Sequence, residues 1–360
     1  TGMFSLVPDE RLDVRGIQGT WAMIYGLDDW GTLFTPRQAL ALTTLVRLIH
    51  DMPDDLVGEP EPGLAAATQT CLALALDRQA DFTSSIATWW AGGEKIQHTF
   101  SRQAVPMVWD FTEANPFSDS TGCWTGAYEW GAKVCEHVTA SVTHAGQAVR
   151  ASATEHPLPD DAAHAVITDP PYYDAVPYAY LSHFFYVWLR RTLSNGQPSL
   201  LRDPQVPKDR EIVVDRPHEL SDSKKDVVFY ERELTKAFAE ARRVLSPDGI
   251  GTIVFASKTT ASWEAILQAV VDAGWVITGS WPIDTEMEAR VAAQGQARLA
   301  SSVHLVCRPR ENPDGSIQAE TVGDWRDVLQ ELPRRIHEWM PRLAGEGVVG
   351  ADAIFACLGP

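Results

Sequence analysis

The apolar run His164-Ala165-Val166-Ile167-Thr168 and the Asp169-Pro170-Pro171-Tyr172 that closes it constrain this chain more than any other stretch. A short apolar run bounded by a turn signal reads as a buried strand of a parallel sheet. The tetrapeptide then falls at the carboxyl end of that strand, the edge where open α/β sheets place their ligand crevice. An acceptor carboxylate, two rigid prolines and an aromatic ring are therefore expected to face a ligand.

The flanking pattern supplies the rest of such a fold. Residues 1–58 read as helical, and Thr35 followed by Pro36 is a helix start, with Thr35 as N-cap. Glu59-Pro60-Glu61-Pro62-Gly63 reads as a linker, and a second helix runs from Gly63 to Phe82. Residues 83–121 are irregular and rich in aromatics. From Gly122 onward helix and strand alternate. A helix over 127–143 leads to a strand at 148–151, the motif strand follows, and a helix over 228–245 ends at the turn Ser246-Pro247-Asp248-Gly249. Then come a strand at 251–256, a helix over 262–273 stopped by Gly274, and strands at 275–281 and 302–307. Alternation of this kind predicts a mostly parallel sheet with helices on both faces, the last two strands pairing antiparallel. Three regions are expected: 1–121, 122–310 and an extension over 311–360.

Composition narrows the class. No apolar run reaches bilayer length, and the most apolar stretch, Tyr178 to Leu189, contains His183 and reads as a buried helix. Five scattered cysteines without a CxxC pair argue against a disulfide framework or a zinc ribbon, and make the cytoplasm the expected location. The net charge of −18 excludes a strongly basic protein. Residues 151–310 are the least acidic, with 17 basic against 21 acidic side chains. Their pairs Arg190-Arg191, Lys224-Lys225 and Arg242-Arg243 leave room for a local basic groove, or for ordinary solvated helix faces. The chain opens on Thr1 and stops just after an apolar run, which points to a piece of a longer protein.

The motif suits one chemical task. The exocyclic amine of a nucleobase is a poor nucleophile because its lone pair is delocalised into the ring. Acceptors for both of its N–H groups favour a pyramidal nitrogen with a localised pair. The Asp169 carboxylate is one acceptor and the Pro170 carbonyl a second, with Pro171 stiffening the turn. Tyr172 supplies a ring on which a base drawn out of its helix can stack.

Asp-Pro-Pro-Tyr after an apolar strand resembles the catalytic motif of S-adenosylmethionine-dependent amino-methyltransferases, above all the N6-adenine DNA methyltransferases. The longer run 167–182, with Glu94–Phe100, Pro106–Phe111 and Ser280–Glu286, is similar to the DUF1156-type, zinc-ribbon-associated adenine-specific DNA methylases. The resemblance implies an α/β fold: part of a Rossmann-like class I methyltransferase sheet with an N-terminal, mainly helical region. It also implies S-adenosyl-L-methionine as cofactor, DNA as partner, and a setting in restriction–modification or phage defence. Asp169, Pro170, Pro171 and Tyr172 become the catalytic candidates. Transfer to N4 of cytosine or to an RNA base stays open, as does a non-catalytic nucleic-acid-binding subunit. The glycine-rich donor loop and the zinc ribbon of that family are missing from these residues. An upstream segment or a separate subunit is expected to supply the donor side.

Further candidates are weaker. Phe34-Thr35-Pro36 resembles a helix start that borders the methionine end of the cofactor, or is an ordinary capped helix. Ser152-Ala153 stands where the cofactor's adenine is commonly met, or is a plain loop, and Asp169 borders the cofactor as well. Asp110 with Asn115-Pro116-Phe117 is either a degenerate donor loop or a structural turn. His98, Arg102 and Gln103 form a polar cluster. Tyr173 and Tyr178 are candidate base contacts, Lys258 a phosphate contact, and Asp284 and Glu286 are ambiguous acids near a strand end.

Overall fold

Thr35 begins the first helix with a reciprocal cap. Its hydroxyl accepts from Gln38 N at 3.3 Å, and its own amide donates to Gln38 Oε1 at 2.8 Å. The helix α1 (Pro36–His50) buries Ala39, Leu42, Leu45, Val46 and Ile49, a stripe at helical spacing. Helix α2 (Leu64–Phe82) packs beside it. The irregular stretch that follows holds one antiparallel pair, β1 (Trp89–Trp90) and β2 (Lys95–Ile96). Helix α3 (Trp124–Ser141) starts three residues earlier than its periodicity suggests, because the Cys123 sulfur accepts from Gly126 N.

The computed structural model describes residues 5–13, 20–52, 63–172, 176–194, 199–214, 225–257, 260–284, 301–311 and 325–345. They divide by packing into two units. The first comprises Thr1–Gln147, Val176–Glu211 and Arg216–Ser223; the second comprises Ala148–Ala175, Ile212–Asp215 and Lys224–Pro360. The protein is mixed α/β, with eight α-helices and a mixed four-stranded sheet among the described residues.

In the first unit the apolar stretch from Tyr178 is two helices, α4 (Tyr178–Leu181) and α5 (His183–Leu193). Phe184, Val187 and Trp188 of α5 join α1 and α2 in one core, where Phe34 lies 5.2 Å from the Trp188 ring in an edge contact. His183 is fully buried, its ring 5.5 Å from that of Trp30. Burial first, and the Lys208 ammonium second, push its pKa from 6.5 down to about 4, while Glu10 and Asp13 pull the other way. A folded value below the unfolded one means that the unfolded chain takes up this proton first. Stability is therefore expected to fall by about 3 kcal/mol as pH drops from about 6.5 to about 4. Urea midpoints across that window check the effect, and His183→Phe should remove most of the slope.

The Arg190-Arg191 pair forms no groove. Arg191 donates to Glu10 Oε1 at 2.9 Å, Asp9 Oδ1 at 3.0 Å and the Ser5 carbonyl at 2.7 Å, while Arg190 reaches Glu10 at 3.3 Å. A carboxylate and free carbonyls near the start of the chain are better partners for a buried guanidinium than a solvated face.

The second unit is built on β3 (Ala163–Thr168), helix α6 (Val227–Val244), β4 (Leu245–Phe255), helix α7 (Thr260–Asp272), β5 (Trp275–Asp284) and β6 (Ser301–Pro309), followed by helix α8 (Trp325–Gly345). The sheet order is β3-β4-β6-β5. Only the β3–β4 ladder is parallel; β4–β6 and β6–β5 are antiparallel, so the sheet is not mostly parallel. The reversal comes from β6, which lies between β4 and β5 and runs antiparallel to both. Helices α6 and α7 pack against each other and share one core with Ile253, Phe255, Val303, Leu305 and Cys307. These alternate residues face one side, so both helices cover a single face rather than the two expected. Gly251 is required there, since a Cβ would meet the Trp275 ring at 2.4 Å.

Three further expectations are corrected. The strand at 148–151 is irregular exposed chain, with Val149 67% exposed; among the described residues no strand lies beside it to pair with. Ser246-Pro247-Asp248-Gly249 is no free turn but a bulge within β4, held where Arg308 donates to the carbonyls of Asp248 and Gly249 at 2.6 and 2.9 Å. β3 is not buried: among the described residues it lies at one edge of the sheet, and Ile167 is 77% exposed. The expected extension over 311–360 contains helix α8, which carries Pro333 and Pro341 within it.

Candidate functional site

The parallel β3–β4 register carries the chain to Thr168 opposite Ile253, after which Asp169 leaves the sheet. Asp169 is exposed, Pro170 buried, and Pro171 and Tyr172 half-buried. Two contacts with the core of this unit help hold the turn. The Tyr230 hydroxyl of α6 donates to the Pro171 carbonyl at 2.8 Å, and the Tyr172 ring meets Phe255 of β4 edge-on at 5.1 Å. Tyr230 is itself fully buried in the core of this unit, so the motif is fastened to packed core. No motif marks Tyr230; only the spacing of α6 over the sheet brings it there.

Among the described residues no donor reaches the Asp169 carboxylate or the Pro170 carbonyl. Two acceptors thus stand at the carboxyl end of a parallel strand, beside the half-buried Tyr172. Such a set can accept both N–H groups of a planar amine. Tyr230→Phe leaves the Pro171 carbonyl without its donor, and should lower stability by about 1 kcal/mol in a urea titration.

The other candidates are distributed and mostly engaged. Ser152 accepts from Thr154 N at 3.2 Å and shares a hydroxyl bond with Thr154 Oγ1 at 2.8 Å, a local turn, and Ala153 is exposed beside it. Thr35, besides capping α1, donates to Glu113 Oε1 at 3.1 Å. His98 pairs with Asp81 at 2.6 Å, while Arg102 and Gln103 are exposed. Tyr178 is 60% exposed at the start of α4. Asp284 ends β5. Tyr173, Lys258 and Glu286 lie outside the described residues.

The remaining basic pairs offer no free cluster. Arg243 holds the chain before β3 through Asp160 at 2.6 Å and the carbonyls of His156 and Leu158. Lys225 is buried, and Lys224 lies outside the described residues.

A cavity of about 660 Å³ opens in the first unit between the start of α1 and the turn at Asn115-Pro116-Phe117. Its size is within the range of small-molecule sites. Leu40, Ala41, Ala114 and Pro116 line it, and its polar rim is closed on itself by Arg37 and Glu113 at 2.5 Å. The Asn115 side chain accepts from Phe117 N at 3.0 Å, so this segment is a structural turn.

No family model, no curated protein and no solved structure matches the chain. What its site can do rests on the residues themselves. Of the described residues, no helix is long and apolar enough to cross a membrane.

Proposed function

We propose that this chain carries the acceptor side of a DNA methyltransferase site that directs the N6 amine of adenine toward S-adenosylmethionine, on part of a Rossmann-like class I methyltransferase sheet. The supporting observation is the free pair of acceptors, Asp169 and the Pro170 carbonyl, at the end of parallel β3, with Tyr172 beside them and Tyr230 fixing the turn. Asp169 accepts one N–H of the base amine and Pro170 O the other, which localises the nitrogen lone pair. The Tyr172 face receives the extruded base. Asp169 takes up a proton only after the nitrogen has become cationic, so it need not be a strong base beforehand.

The donor candidates do not fit a cofactor equally well. Ser152 and Thr35 have their hydroxyls engaged locally, and no glycine cluster among the described residues lets backbone approach a ligand closely. No step is therefore assigned to them. The same observation favours one second reading, a nucleic-acid-binding subunit that is not catalytic by itself.

Titration calorimetry with S-adenosylmethionine separates the two. The acceptor-side reading expects no heat with this chain alone, but binding and labelled methyl transfer to unmethylated DNA once a donor-binding segment is supplied. Absence of transfer under every such pairing would leave the non-catalytic reading. Digestion of the product to nucleosides tells N6-methyladenine from N4-methylcytosine, and an RNA substrate run alongside tests the remaining acceptor.

A further inference from the structure

Helices α2 and α3 pack with their chains running in opposite directions. At one end the Gln79 side chain donates to the Gly122 carbonyl at 2.7 Å, and the Arg78 guanidinium lies 5.2 Å from the Trp130 ring centre. Counting back from Arg78 to Cys71 moves ~10 Å along α2, and counting forward from Trp130 to Cys135 moves ~8 Å along α3. The two cysteines thus fall at neighbouring levels of the packed helices, close enough for Cys135 to raise the pKa of the Cys71 thiol. Both are reduced and exposed to solvent, whereas Cys123 and Cys307 are buried. We propose that Cys71 and Cys135 form a redox modification site, a vicinal dithiol that small-molecule disulfides such as oxidised glutathione close into a bond between α2 and α3.

The chemistry needs no further reagent. One cysteine thiolate attacks a sulfur of oxidised glutathione, and the first glutathione leaves as its thiolate. The second cysteine thiolate then attacks the protein sulfur of the mixed disulfide, and the second glutathione leaves. Two protein thiols are oxidised to one disulfide, one molecule of oxidised glutathione is reduced to two of glutathione, and the two thiol protons end on those products. Burial and the neighbouring Cys135 push the Cys71 thiol up, so the reaction quickens as pH rises above neutrality. Cys307, which burial pushes up to about 12, stays inert. The bond would matter for α3 because that helix, with Ala127 its buried residue, is held to the first unit chiefly along α2. A link in its fourth turn pins the far half.

The test uses the whole chain with Cys357→Ser, incubated with oxidised glutathione and read by thiol titration and peptide mass mapping. The expected result is loss of two thiols, a joined Cys71–Cys135 peptide, no retained glutathione, and a melting temperature higher by roughly 5–10 °C that dithiothreitol reverses. Cys71→Ser and Cys135→Ser should each instead trap one glutathione on the cysteine that remains. Stable glutathione adducts on both cysteines of the parent chain would overturn the proposal. So would two persistent thiols, whether or not the single variants react.

Discussion

Asp169→Ala is expected to lower methyl transfer by about a hundred- to a thousand-fold in a transfer-competent preparation, with the fold unchanged. The size follows from what the carboxylate does in the proposed site. It is one of two acceptors for the amine, and without it the nitrogen stays conjugated and misaligned with its target. The fold should not notice, because Asp169 is exposed and none of the described side chains or amides bonds to its carboxylate. Labelled methyl incorporation into unmethylated DNA gives the first quantity, and a thermal melt by circular dichroism gives the second. Near-parental transfer would remove Asp169 from the reaction and the proposal with it. A collapsed melt would mean that the turn is structural, and Tyr230→Phe would then separate the two roles by touching only the support.

Arg191→Ala carries the largest expected cost to stability, about 3–5 kcal/mol. Its side chain is 2% exposed and binds Glu10, Asp9 and the carbonyls of Ser5, Val7 and Val187. Removal leaves the Glu10 carboxylate, 9% exposed, with only Arg190 at 3.3 Å. It also releases the segment Ser5–Asp9 from α5, so a limited digest should now cut there. Arg191→Lys keeps the charge but loses the planar fork, and should recover only part of the loss. Denaturant midpoints with unchanged slopes are the measure. A shift under about 1 kcal/mol would show that the ion pairs cost as much to desolvate as they return.

Much of the fold was legible because its signals are local. Thr35-Pro36, the Ala/Leu period of 64–82, Gly274 and the Asp169 turn each act through near neighbours, and each element formed where its residues placed it. The errors arose where distant partners decide. Burial of β3 depended on a neighbour that the described residues lack, and the strand at 148–151 failed for the same reason. Ser246–Gly249 has turn chemistry, yet Arg308, far away in sequence, holds it in the sheet. Arg190-Arg191 looked like surface charge because nothing nearby announces Glu10 as its partner. In the candidate site the proposed acceptors belong to four consecutive residues; the Tyr230 and Phe255 that contact that turn come from α6 and β4 and carry no sequence mark.

A strand bonded on one side only is a template for any extended chain that meets it, including another copy of the same protein. Among the described residues β3 presents that kind of margin, with the Ile167 side chain already facing water. Concentrated solutions of this chain alone should therefore associate edge to edge before they unfold. Ile167→Lys, a gatekeeper charge that disturbs no packed atom, would raise the concentration at which the protein stays monodisperse.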